Sequence, residues 1–247
     1  MPHYSQRVSY RFGPGNLSNT IKTLIWANVT AFILITLAPS LAIFFGLSPV
    51  AVLEHFWIWQ PLTYMFLHGS IFHVLFNMLA LWMFGTELER LWGTKFFVKY
   101  YFITGIGAAA TTLAGALLPF EFASQMYYSI TIGASGAVYG LLLAYALYYP
   151  NRPIYMYLLF PIPAKYFVMI IGGISFLSSI SDIQSGVAHT THLGGLIIGY
   201  LYLNQGRSGG LSSELKYHYL KWKIDRLKKK FDVHQGGQEK KWDKHIH

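Results

Sequence analysis

Residues 132–149 read IGASGAVYGLLLAYALYY, eighteen positions without Asp, Glu, Lys or Arg, inside a charge-free run that extends from 122 to 151. Length and apolarity of this kind are what a helix needs to cross a bilayer, about 20 residues at 1.5 Å rise. Five more charge-free runs flank it, at 23–53, 55–86, 100–120, 166–181 and 183–206. All but the run at 166–181 reach spanning length. Helices are predicted near 22–46, 69–91, 97–118, 132–149, 165–182 and 186–205. The chain is thus expected to be an all-α polytopic membrane protein. Its six spans form one membrane domain, 22–205, between a cytoplasmic segment, 1–21, and a basic cytoplasmic tail, 206–247.

Composition points the same way. The 247 residues are 53% apolar and 12% charged, where a soluble domain carries about 25% charged residues. A soluble single-domain enzyme is excluded. With no cysteine, disulfides, thiolate zinc sites, iron–sulfur clusters and a thiol nucleophile are excluded together. The net charge of +9 could suggest nucleic acid, but eleven of the 19 Lys and Arg lie after residue 206. That distribution fits a tail on a membrane surface and no nucleic-acid partner. Leu215, Leu220, Ile224, Leu227 and Phe231 recur at helical spacing among its lysines, as in an interfacial helix on anionic lipid. His245 and His247 near the end resemble a metal site by composition alone.

Orientation follows from the basic residues. With the N-terminus inside, Arg7, Arg11, Lys22, Arg90, Lys95, Lys99, Arg152, Lys165 and the tail share one side. Glu54, Glu121 and Asp182 occupy the other. Both termini are then cytoplasmic, and spans two, four and six run from outside to inside. The first span lacks a small-residue cleavage site and reads as a retained anchor, with no soluble domain before it. Pro150, Pro153, Pro161 and Pro163 predict an ordered loop at the membrane surface between spans four and five.

Polar residues inside the spans carry the functional signal, because they are costly there and face a cavity or the bundle interior. His73 and Asn77 share one face of span two, Ser135 opens span four, and His192 lies early in span six. All four fall at similar depth near the outer surface. Taken singly, the His–Asn pair reads as interhelical hydrogen bonding and Ser135 as packing glue. Gly136 and Gly140 follow Ser135, and Gly195 and Gly199 follow His192, so two small-residue faces could bring the helices close. Ser135 Oγ would then reach an imidazole nitrogen of His192, as nucleophile and base require. His73, Asn77 and the Ser135 amide would complete an oxyanion site.

These residues resemble the motifs of the rhomboid intramembrane serine proteases. His73-Val74-Leu75-Phe76-Asn77 is similar to the family's HxxxN, Gly133-Ala134-Ser135-Gly136 to its GxSG, and His192-Leu193-Gly194-Gly195 with Gly199 to its HxxGxxxG. Phe84-Gly85 through Leu88-Glu89 to Gly93 matches further. The resemblance covers nearly all of 55–200. It implies a six-helix rhomboid-like bundle with Ser135 as nucleophile and His192 as base. It further implies Tyr139 packed on the imidazole, and His73, Asn77 and the Ser135 amide as oxyanion site; no cofactor or metal is expected. The substrate it implies is a single-span membrane protein, cut near the external face of the bilayer through an acyl-enzyme.

Departures from the family's pattern are local. Trp59-Gln60-Pro61 stands where many members have a Trp-Arg pair, and Thr191 where alanine is common before the histidine. His189 and His68 are read as hydrogen-bonded rather than as metal ligands with His73. Asp182 is read as part of a solvated turn rather than a third triad member, and Glu89 as bonded to nearby backbone. A bacterial inner membrane is the expected location, with the site facing the periplasm or exterior. Two rivals remain, a non-proteolytic relative that binds membrane clients and a transporter using a histidine relay, and Ser135→Ala separates them from a protease.

Overall fold

Helix boundaries follow local chemistry. In the computed structural model, residues 16–119, 121–156, 160–181 and 186–207 are described, with positions 221, 223 and 226. The expectations for residues 1–15, for Asp182, for the apolar face of Leu215, Leu220, Ile224, Leu227 and Phe231, and for His245 and His247 lie outside them. The chain divides into two units, Met1–Leu203 and Asn204–His247, and the buried core and every candidate site residue belong to the first.

Helix α1 (Asn19–Leu37) starts where the Ser18 Oγ accepts from the Ile21 amide at 3.1 Å. It stops ahead of Pro39, because the residue before a proline is pushed out of the helical region. The span expected at 22–46 is therefore divided, with a short α2 (Leu41–Phe45) after the break. Three more short elements follow: α3 (Pro49–His55), opened by its proline, α4 (Gln60–Thr63), and a 3₁₀ turn at Tyr64–Phe66.

Helix α5 (Ile71–Ala80) is capped by Ser70, whose Oγ accepts from the His73 amide at 3.2 Å. It passes through a π turn at Leu81–Gly85 into α6 (Thr86–Trp92), so that 71–92 is one rod. Gly93, at φ +78°, ends it. Then come α7 (Thr94–Ala116), α8 (Glu121–Tyr128), α9 (Ser135–Tyr148), α10 (Ala164–Ser181) and α11 (Gly186–Arg207). Among the described residues two helices, α1 and the rod, combine spanning length with spanning apolarity; α9 and α10 are apolar but shorter.

Between α9 and α10 the structure corrects the sequence reading. Residues expected to form an ordered loop rather than a helix, in an all-α protein, make an antiparallel hairpin, β1 (Pro153–Met156) with β2 (Phe160–Pro163). Pro153 pairs with Pro163 and Tyr155 with Pro161. The Ala164 amide donates to Arg152 O at 2.9 Å. Bonded pairs alternate along an antiparallel ladder, so all three prolines fall where no amide is needed.

Tyr64, Phe97, Tyr100, Tyr101, Thr104 and Leu141 are buried at the centre. Tyr100 Oη donates to Gly140 O at 2.8 Å and Tyr64 Oη to Gly105 O at 2.6 Å, satisfying hydroxyls inside the bundle. Large apolar side chains such as Trp26, Phe72, Phe76, Met169 and Leu177 instead face outward. An exterior of this kind matches lipid rather than water. At the far end of the rod, buried Glu89 accepts hydrogen bonds from Ser18 Oγ and, at 2.8 Å, from Thr94 Oγ1. It bonds to hydroxyls, not to the backbone expected, and so ties the start of α1, the end of α6 and the start of α7.

Candidate active site

Ser135 is the first residue of α9, and the segment ahead of it is held from two sides. Leu47 and Thr131 exchange backbone hydrogen bonds of 2.9 and 2.8 Å, and the Gly133 amide donates to Tyr64 O at 2.9 Å. Gly133 has φ +132°, a conformation that L side chains rarely adopt. A Cβ there would also stand 2.8 Å from Nε2 of His73 and 3.5 Å from Ser135 Oγ. Glycine thus lets the His73 imidazole lie beside the serine. Ala134 supplies no capping side chain, so no cap takes the first-turn amides of α9.

The second helix arrives through glycine. A Cβ on Gly195 would run into the Gly136 carbonyl oxygen and stand 2.8 Å from its carbon; one on Gly199 would stand 3.3 Å from Gly140 Cα. The two small-residue faces therefore meet backbone to backbone. This contact leaves His192 Nε2 2.8 Å from Ser135 Oγ, within the range a nucleophile–base pair requires. Tyr139, one turn after the serine, stacks on the imidazole with centroids 4.3 Å apart and planes 9° from parallel. Thr191 is buried, and its hydroxyl lies 2.7 Å from that of Thr112 on α7, so the departure from alanine adds an interhelical bond.

The other sequence candidates divide. His73 joins the serine and histidine. Asn77, one turn further along α5, donates from Nδ2 to the His73 carbonyl at 2.9 Å. His68 is buried, its Nδ1 3.3 Å from Phe66 O and its ring edge-on to His73 at 4.9 Å. His189 lies edge-on to His192 at 5.7 Å. Among the described residues no group of three or more His, Cys, Asp or Glu is arranged to hold a metal.

Gln60 is fully buried and does what a neutral amide can do in place of a charge. Its Oε1 accepts from the Ser48 amide at 2.9 Å, and its Nε2 donates to Ile43 O and Phe44 O at 3.3 and 3.2 Å. Tyr127 donates to Glu54 at 2.8 Å, joining α8 to α3, and that bond raises the phenol above its ordinary pKa. Sequence reasoning passed over Ser175, whose Oγ donates to Tyr139 Oη at 3.2 Å from α10. Ser178 and Ser179 stand beside it, and nothing in the sequence sets it apart.

A hydroxyl bonded to a ring nitrogen, beside a second imidazole and open helix amides, can attack a carbonyl and stabilise the resulting oxyanion. Compared with known families, residues 55–205 match the Rhomboid domain. The chain belongs to the rhomboid family and is a membrane protein. Among curated proteins it is 30% identical over 220 residues to the rhomboid protease AarA of Providencia stuartii, covering 80% of this chain and 75% of that one. It is 31% identical over 147 residues to the mitochondrial rhomboid protein 1 of Saccharomyces cerevisiae, covering 56% of this chain and 38% of the relative. With the rhomboid protease GluP of Bacillus subtilis it shares 35% identity over 144 residues, 58% of this chain and 25% of the other. The chain therefore spans well under half the length of the last two.

Proposed function

We propose that this chain is an intramembrane serine endopeptidase that cuts transmembrane segments of membrane proteins near the external face of the bilayer. The observation that carries the reading is the 2.8 Å contact between Ser135 Oγ and His192 Nε2. As base, the imidazole takes the Ser135 proton while Oγ attacks the scissile carbonyl. His73, Asn77 and the Ser135 amide stabilise the oxyanion, with first-turn amides and the helix dipole favouring negative charge. Protonated His192 then returns its proton to the leaving amine, and water hydrolyses the acyl-enzyme by the same route in reverse. Tyr139 holds the imidazole plane.

The substrate is a single-span membrane protein. Inside a bilayer a helix keeps its carbonyls in backbone bonds, so the substrate unwinds locally before attack, and Gly or Pro near the cut lowers that cost. Six spans, with both termini and the basic residues cytoplasmic, are supported by the charge distribution. The site then opens toward the periplasm or exterior of a bacterial cell membrane, a location supported by the Providencia relative's match over 80% of the chain. The lipid bilayer is the other partner; neither nucleic acid nor a cofactor enters the mechanism.

The experiment is labelling of detergent-purified protein with a fluorophosphonate, comparing the native chain with Ser135→Ala and His192→Ala, repeated in lipid. The native chain is expected to label and both variants to lose labelling. A folded native chain that stays unlabelled in lipid overturns the reading in favour of a client-binding relative.

A further inference from the structure

We propose that Ser175 is a positioning residue for the histidine base, acting through Tyr139; this rests on the protease reading above. Three helices meet in one line of contacts. Ser175 on α10 donates to Tyr139 Oη at 3.2 Å, Tyr139 on α9 stacks on the ring of His192 at 4.3 Å, and His192 on α11 meets Ser135 Oγ at 2.8 Å. Stacking fixes the separation and tilt of two rings but lets them slide past one another. A hydrogen bond at the phenol's far end removes that freedom, because it fixes where the ring ends.

Ser175 is 1% exposed, so water does not compete for its hydroxyl. Serine in an apolar helix usually returns its proton to a carbonyl of its own helix. Ser179, one turn on, does so, donating to Phe176 O at 2.7 Å. Ser175 directs its proton across to α9 instead. The seat of the imidazole therefore depends on the position of α10, a helix that contributes no group to the Ser135–His192 pair.

The test measures the fluorophosphonate labelling rate of Ser135 in the purified full chain, with thermal unfolding followed in parallel. Ser175→Ala is expected to slow labelling about three- to tenfold, the scale of one lost neutral hydrogen bond. Ser175→Thr, which keeps the hydroxyl, is expected to restore most of the rate. Tyr139→Phe keeps the ring and removes the acceptor, so it is expected to match Ser175→Ala, and the double variant to be no slower than either single.

The proposal is overturned if Ser175→Ala labels at the native rate. It is equally overturned by losses that multiply in the double variant, or by a threonine variant as slow as alanine. Should Ser175→Ala fail to fold, Tyr139→Phe decides alone, since native-rate labelling there removes the link. Failure of the protease reading looks different: the native chain itself does not label.

Discussion

The rod at 71–92 carries polar residues at both ends, and the two ends are built by opposite rules. His73 and Glu89 are sixteen residues apart, or about 24 Å along a helix. Glu89 is 5% exposed, and each of its oxygens accepts a hydroxyl from another helix. At the other end His73, Ser135 and His192 are half-buried, and the serine and histidine are bonded to each other. A carboxylate whose two oxygens are both taken has become a brace. A hydroxyl aimed at a base and reachable from outside remains free to react. The same chain chemistry thus divides into structure and function by what saturates each group and whether it is accessible.

The largest effect expected on this contrast comes from Asn77→Ala. In the proposed mechanism Asn77 is an oxyanion donor, and loss of one such donor lowers rates by about 100- to 1,000-fold. The amide's bond in the structure goes to its own helix's carbonyl, and alanine is a better helix former than asparagine. Thermal stability should therefore hardly change while labelling by a fluorophosphonate and hydrolysis of a membrane peptide collapse. Undiminished turnover would remove Asn77 from the site and leave His73 with the Ser135 amide. Loss of stability and activity in parallel would make this end a brace as well and break the comparison.

How far such a division can be read from sequence depends on where the deciding contact lies. The long helices were legible because a bilayer forbids charge over about 20 residues, and the charge-free runs record that. Elements α3, α4 and α8 were not, since tertiary bonds such as those of Gln60 and Tyr127 hold their region. The hairpin escaped because its prolines read as breakers until the register puts all three on positions without amide bonds. At the site, the approach of Ser135 to His192 was legible through glycines four residues apart on both helices. Ser175 was not, because a serine's choice between its own carbonyl and a neighbouring helix leaves no trace in spacing. Glu89 was misread for the same reason: its partners, Ser18 and Thr94, are brought to it by the fold.

An intermediate effect of the opposite kind is expected at Glu89. Glu89→Ala leaves the part-buried Ser18 and exposed Thr94 hydroxyls without their acceptor, and losing a hydrogen bond to a charged group costs about 1.5–3 kcal/mol, less where water takes its place. Glu89→Gln keeps one acceptor and should lose less. Chemical or thermal unfolding in a fixed detergent measures the loss. The sharper reading is labelling per folded molecule, which should stay at the native level because the brace lies far from Ser135. A folded Glu89→Ala that labels poorly would mean that strain at this end reaches the site along the rod.

The smallest effect is expected two residues from Glu89. Glu87 pairs with Arg152 in the described part of the chain, but their side chains are 24% and 46% exposed. Arg152 also lies 3.3 Å from the Tyr145 hydroxyl and 5.0 Å from the centre of the Tyr149 ring. Exposed ion pairs contribute about 0–1 kcal/mol, since solvent screens the attraction and long side chains lose freedom in forming them. The ion pair's share of the loss in Arg152→Ala should therefore be no more than that, and this share should shrink as salt rises. A double-mutant cycle with Glu87→Gln isolates the pair from the tyrosine contacts. If the coupling rivals the loss at Glu89, accessibility is the wrong variable. Neighbouring carboxylates on one turn would then have to be told apart by their partners alone.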